Sequence, residues 1–318
     1  TQAPAGNNGA GIFVTNYVNA ENYSGDESSY IGSNGLRFAY GTFGNKSNPA
    51  IILVAGLYNQ MVRWPIEFCH DLAARNFFVI RFDNRDIGLS NWMTGLKAPS
   101  LVRQMLKYRF GLPVDVPYSL DDMAADTVGI LDGLSVKKAH FVGMSMGGMI
   151  CQIAAARYPD RALSLTSIMS TSGTFGEGKP SWKASMQMLK KPSKGQSRID
   201  NSVEILQFLG SPGYPVSDSV VRAMAELEYA RGSNPAGYLR QMAAINTAPN
   251  RVHLLNSLKI PALIIHGRED LLVPLSGGID TARHIRNSRL VVFPGMGHNL
   301  PSELLGRFAD LITEHQIS

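Results

Sequence analysis

Six short apolar runs punctuate the chain: AIILVAG (50–56), FFVIRFD (77–83), KAHFVG (138–143), LSLTSIMS (163–170), IPALIIHG (260–267) and RLVVFPG (289–295). A strand that is apolar along its whole length, rather than at alternate residues, has to be covered on both faces. Most of the runs are followed by a stretch whose apolar residues recur at helical spacing: WPIEFCHDLAAR, MGGMICQIAAARYPD, SGGIDTARHI and LPSELLGRFADLITEHQ. Between the second and third runs, SLDDMAADTVGILDGL (119–134) reads as a capped helix, and Pro65 suits the first turn of the helix at 64–75. Strands alternating with helices in this way predict an α/β fold, a doubly wound and mostly parallel sheet, with ligands bound at the carboxyl ends of the strands. Ahead of it, SYIGSNGLRFAYGTFG predicts a hairpin that turns within Gly32–Gly35.

One segment breaks the alternation. From about 171 to 250 the pattern is helical throughout, in PSWKASMQMLKK, NSVEILQFLG, SDSVVRAMAELEYARG and PAGYLRQMAAIN. We read it as a helical cap inserted between two strands of a core formed by 31–170 and 251–318. Residues 1–30 read as an N-terminal arm or leader remnant. TQAPAGNNGAG is the kind of tail that follows a removed leader, which favours a periplasmic or secreted location over a cytoplasmic one.

Composition narrows the function classes. The formal net charge is +5, but the basic residues are scattered. The densest group, KKPSKGQSR, interleaves Pro, Gly and Ser and reads as a solvated loop, so no nucleic-acid partner is expected. No apolar run approaches the eighteen or so residues of a membrane span. Cys69 and Cys151 form no disulfide framework, and the seven histidines show no metal-ligand spacing. Neither metal nor cofactor is expected.

Ser145 stands in GMSMG, where the KAHFVG strand turns into a helix. Gly143, Gly147 and Gly148 supply the side-chain-free positions that so sharp a turn requires. A serine capping a helix in a tight crossover would explain those glycines equally well. It would not explain Asp270 in HGRED and His298 in GMGH, each just past the end of a later strand and so on the same rim. The chain order Ser, Asp, His is that of a triad built on this kind of sheet.

GMSMG, HGREDLLVP, GMGH and the D-x-R-x-x-G-x-S loop FDNRDIGLS resemble the α/β-hydrolase fold family from about residue 30 to the end. Within that family, LVAGLYNQMVRWPIEF followed by FVIRFDNRDIGLS is similar to the esterase subgroup that includes aclacinomycin methylesterase. The resemblance implies a cofactor-independent serine esterase acting on a small-molecule ester. Ser145 would be the nucleophile, His298 the general base and Asp270 its orienter, with Glu269 a neighbouring rival. It also implies an oxyanion hole from the backbone N–H groups of Met146 and Leu57, although Ala55 stands where many relatives carry His. Lactonase, carbon–carbon bond hydrolase and perhydrolase activities use the same triad, and a ligand receptor without turnover is a further alternative.

Other residues are open to two readings. Asp83, Arg85 and Asp86 read as a structural turn rather than a catalytic group, and His266 as a structural histidine rather than a base. Trp64 either walls the pocket or anchors the helix after it. Met186, Met188, Met224 and Met242 on the cap are core residues or an adaptable pocket lining. SLVRQMLKYRFG (100–111) reads as a pocket wall in preference to an interfacial patch.

Overall fold

The computed structural model describes residues 28–100, 103, 107, 110, 112, 116–189 and 196–317. Nearly all of the expected arm, most of the 100–111 stretch and residues 190–195 of the basic loop lie outside the described residues. Eight strands form one sheet: β1 (Ser29–Ser33), β2 (Leu36–Phe43), β3 (Ala50–Val54), β4 (Phe78–Phe82), β5 (Ala139–Met144), β6 (Ala162–Ile168), β7 (Ala262–Gly267) and β8 (Arg289–Phe293). Their order is β1-β2-β4-β3-β5-β6-β7-β8. β1 and β2 are antiparallel to each other and β2 to β4, and every pairing from β4 to β8 is parallel. The hairpin turns through Asn34 and Gly35, both in the left-handed region at φ 50° and 75°. β1 begins inside the stretch assigned to the arm, because Ser29 and Tyr30 already pair with β2.

The helices are α1 (Ile66–Ala74), α2 (Leu120–Gly133), α3 (Met146–Arg157), α4 (Trp182–Leu189), α5 (Arg198–Leu209), α6 (Asp218–Arg231), α7 (Pro235–Thr247), α8 (Val252–Ser257), α9 (Leu275–Arg283) and α10 (Leu305–Ile317). Five of them, α4 to α8, lie between β6 and β7, and the first four fall where the sequence places its run of helical pattern. The strand pleat sorts the core into two layers. Ile52, Val54, Ile80, Phe82 and Phe141 meet Met123, Ile130, Ile150 and Ile153 of α2 and α3. Ile51, Leu53, Val79 and Val142 meet Phe68, Leu72, Phe308 and Ile312 of α1 and α10. The apolar runs are thus continuous because both sides of the sheet are covered.

Pro65 is the N-cap of α1, in extended conformation at φ −56° and ψ 144°, one place before the first turn where the sequence puts it. A short 3₁₀ turn, Met61–Arg63, precedes it and has no counterpart in the sequence reading. Trp64 is fully buried and stacks on Phe68, with ring centroids 5.9 Å apart and planes 16° from parallel. Of the two readings open for Trp64, wall or anchor, its burial favours the anchor at the start of α1 over the pocket lining.

His140 on β5 places Nδ1 2.8 Å from Ser164 Oγ, beneath the edge of Phe77. Burial, and then the nearby His315, lower its pKa to about 4. The unfolded chain takes up that proton near pH 6.5 and the folded chain only near 4, so the stability His140 confers above pH 6.5 is lost as pH falls through this window. We expect a loss of up to about 3 kcal/mol from this group. Urea unfolding at pH 7 and pH 4.5 checks it: His140→Gln should show a smaller acid loss than the native chain, and an equal loss contradicts the assignment.

Candidate active site

At the β5–α3 junction, Gly143 and Gly147 leave no room for side chains on either side of Ser145. Its backbone adopts φ 54° and ψ −121°, a conformation that costs a non-glycine residue of order 1–3 kcal/mol. Close packing enforces it. A Cβ on Gly147 would come within 2.0 Å of the Val54 carbonyl oxygen, and one on Gly143 within 2.2 Å of the Gly147 carbonyl oxygen. The Ser145 amide donates to Ile168 O at 2.9 Å, and Ser170 Oγ donates to Ser145 O at 2.7 Å. With the backbone pinned at both ends, Oγ stands at the carboxyl edge of the sheet.

Asp270 and His298 reach the same point from the ends of β7 and β8. His298 Nδ1 lies 2.7 Å from Asp270 Oδ2, and its Nε2 lies 3.0 Å from Ser145 Oγ. With the proton on Nδ1, the ring donates to the carboxylate and its free Nε2 accepts from the serine hydroxyl. Asp270 cannot swing away: its Oδ1 accepts from the amides of Leu272 and Val273 at 2.9 and 2.8 Å, and the residue is 4% exposed. Its rival Glu269 is occupied elsewhere, with Oε2 accepting from the Gly295 amide at 2.6 Å.

His266 is fully buried, and its Nε2 lies 2.7 Å from Val273 O and 3.8 Å from Asp270 Oδ2. Burial lowers its pKa, which keeps the ring neutral beside the carboxylate. It touches no reacting group.

The loop after β3 brings its backbone to the serine. A Cβ on Gly56 would lie 3.2 Å from Ser145 Cβ, so the backbone at Gly56 approaches the serine closely. Met146 is the first residue of α3, where a helix leaves its amides without intrahelical acceptors.

The turn at Asp83, Arg85 and Asp86 is structural, as expected, and its partners come largely from the cap. Asp83 Oδ2 accepts from Arg231 of α6 at 2.8 Å, and its Oδ1 accepts from the Met61 amide at 2.6 Å. Asp86 takes both prongs of Arg240 of α7 at 2.7 Å each, together with the Tyr118 hydroxyl at 2.8 Å. Arg85 pairs with Asp126 of α2 at 2.6 and 2.7 Å. A further ion pair joins Arg63 to Glu228 of α6 at 2.6 Å.

The cap also grips the histidine loop. The His298 amide donates to Leu209 O of α5 at 2.8 Å, and the Gly297 amide to Ser211 Oγ at 2.8 Å. Arg231, Arg240, Ser211 and Gln241 were absent from the sequence reading. The available signal was indirect: two acids in one tight turn need cations, and α6 and α7 carry arginines on otherwise apolar faces.

The methionines divide. Met186 is 63% exposed, which corrects its assignment to a covered pocket. Met224 and Met242 are half-buried. Of Met188 only the helical backbone is described.

With this geometry in place, the chain's relatives can be read. It matches the alpha/beta hydrolase fold family over residues 49–303 and belongs to that family. It is a hydrolase. It is 28% identical over 296 residues to a rhodomycin D methylesterase of Streptomyces peucetius, covering 86% of this chain and 92% of that protein. A 3-oxoadipate enol-lactonase of Acinetobacter baylyi is 26% identical over 253 residues, covering 80% of this chain and 83% of the relative. Among solved structures, an enol-lactonase from Burkholderia xenovorans superposes with a TM-score of 0.71 at 23% identity, covering 91% of this chain and all of that one (100%). Among the described residues, no helix is long and apolar enough to cross a membrane.

Proposed function

We propose that the chain is a serine carboxylesterase that works through an acyl-enzyme, cleaving apolar acyl esters of small alcohols, methyl esters among them. The observation that carries this reading is the single imidazole bridging Asp270 Oδ2 at 2.7 Å and Ser145 Oγ at 3.0 Å. A serine hydroxyl is a poor nucleophile at neutral pH, so His298 takes its proton as Oγ attacks the ester carbonyl. Negative charge gathers on the former carbonyl oxygen, where the amides of Leu57 and Met146 receive it; one such donor is typically worth about 3 kcal/mol. His298 then gives its proton to the departing alcohol, and a water activated by the same ring releases the acid.

The cap bears on the substrate. Met224 and Met242 are half-buried and adaptable, suited to an acyl group without charge. Desolvating an unpaired carboxylate among apolar groups is costly, whereas one methylene changes discrimination by only about 1–3 kcal/mol. The likeness to a methylesterase supports the small alcohol.

A p-nitrophenyl ester should release a burst of nitrophenol stoichiometric with enzyme, and a fluorophosphonate should label Ser145 once per chain. Turnover without a burst, in a protein that resists the label, overturns the acyl-enzyme. A rate series across acyl length and alcohol size, repeated with Met224→Trp and Met242→Trp, should shift acyl preference and leave alcohol preference unchanged. No shift removes the cap from the acyl pocket.

The likeness to enol-lactonases favours a second reading, ring opening of a lactone by the same steps. It predicts faster turnover of lactones than of acyclic methyl esters of matched acid.

A further inference from the structure

Tyr58 follows the proposed oxyanion donor Leu57, and its backbone is left-handed at φ 58°. An aromatic residue holds that conformation only where its surroundings impose it. Here the surroundings are the cap. The Tyr58 amide donates to Gln241 Oε1 of α7 at 2.9 Å, and Gln241 Nε2 donates onward to Arg85 O at 2.8 Å. The Tyr58 hydroxyl lies 3.1 Å from Ser233 Oγ, just before α7, and its ring meets that of Tyr238 edge-on, with centroids 5.5 Å apart. On the core side, Asn84 Nδ2 donates to Ala55 O at 3.1 Å.

Gln241 is 1% exposed, and both ends of its amide are used. A buried glutamine is costly unless bonded, and its bonds join the loops after β3 and β4. Its anchor is firm, because Arg85 is itself clamped by the buried Asp126. The amide therefore works as a strut between the D-x-R-x-x-G-x-S loop and the turn that aims the Leu57 N–H.

We infer that Gln241 is a positioning residue: a cap side chain that fixes the Leu57–Tyr58 peptides and so sets the oxyanion hole. α7 then belongs to the catalytic apparatus as well as to the substrate cover. This rests on the serine-esterase reading with Leu57 as a donor. A hole displaced by a fraction of an ångström binds the ester in its ground state nearly as before but loses hydrogen-bond energy as charge develops.

The test is Gln241→Met, which keeps the side chain's length and removes both bonds, compared with Gln241→Glu, which keeps an acceptor for the Tyr58 amide. The probes are a p-nitrophenyl ester and a trifluoromethyl ketone, whose hemiketal oxygen occupies the hole. For Gln241→Met we expect kcat to fall about 10- to 100-fold with KM within about twofold, and ketone affinity to fall in parallel. Gln241→Glu, which keeps the acceptor for Tyr58 but sets a carboxylate oxygen against Arg85 O, should recover only part of both. A loss of kcat without loss of ketone affinity, or a folded Gln241→Met with native kcat, overturns the inference. If Gln241→Met does not fold, Gln241→Asn, one methylene too short to reach Tyr58, is read against the same outcomes. Ser145→Ala separates the two levels: if it retains turnover, the esterase reading fails, whereas a dead Ser145→Ala beside a native-like Gln241→Met sinks the strut alone.

Discussion

Ser145→Ala should lower kcat/KM by roughly 10⁵- to 10⁶-fold, the scale on which a triad acts as a unit, and His298→Ala should do the same. The double variant should be scarcely worse than either single, because a base without its nucleophile, or a nucleophile without its base, has nothing left to contribute. Additive losses in the double variant contradict the assignment. Asp270→Asn should cost about 10⁴-fold for a reason visible in the site. Oδ1 of Asp270 accepts from two backbone amides, so the carbonyl oxygen of an asparagine takes that position and its NH₂ turns to His298. Nδ1 must then accept, the proton moves to Nε2, and the ring can no longer take the proton of Ser145. All three variants should keep the native unfolding midpoint within about 1 kcal/mol, because none empties the core.

The three residues of the proposed triad were legible because each sits in a short motif just past the end of a strand, and strand ends in a parallel sheet share one rim. The elbow was legible for a similar reason: Gly143 and Gly147 mark the close approaches that define the turn. Asp270 over Glu269 is a different case. The family register H-G-x-x-D favours Asp270 over its neighbour, and in the fold the Gly295 amide already holds Glu269. The pocket was the least legible. Trp64 was open to two readings, wall or anchor, and the packing that follows the 3₁₀ turn at Met61–Arg63 puts it in the α1 layer. Met186 and Met242 have the same chemistry on the same kind of helix, and only the packing of that helix on the core decides which one faces water. Gln241 and Arg240 belong to this class too: their partners are more than 150 residues away, a separation no local period encodes.

Asp86→Asn should destabilise the chain by about 3–5 kcal/mol, the range for breaking a buried ion pair from one side. Asparagine suits the backbone there, since Asp86 has φ 72° and short amide side chains tolerate that region. The cost comes from Arg240. Arg240 is 2% exposed and gives Nε and one terminal nitrogen to the Asp86 carboxylate, with Leu96 O, at 3.0 Å, as a further acceptor. Replacing the carboxylate by an amide strands that charge and turns an NH₂ towards donors. Arg240→Met should also destabilise, but less, because Asp86 keeps the Tyr118 hydroxyl and the Met93 amide as donors. The double variant Asp86→Asn/Arg240→Met leaves no uncompensated cation and should recover much of the loss of Asp86→Asn alone, a coupling that a double-mutant cycle in urea measures directly. Because Arg240 and Gln241 are neighbours on α7, the unfolding cycle should be paired with hydrogen exchange of that helix. Loss of protection confined to α7 would show that the ion pair seats the cap. A stability loss below about 1 kcal/mol for Asp86→Asn would mean that the cap is held by its other contacts, Arg231 with Asp83 and Arg63 with Glu228.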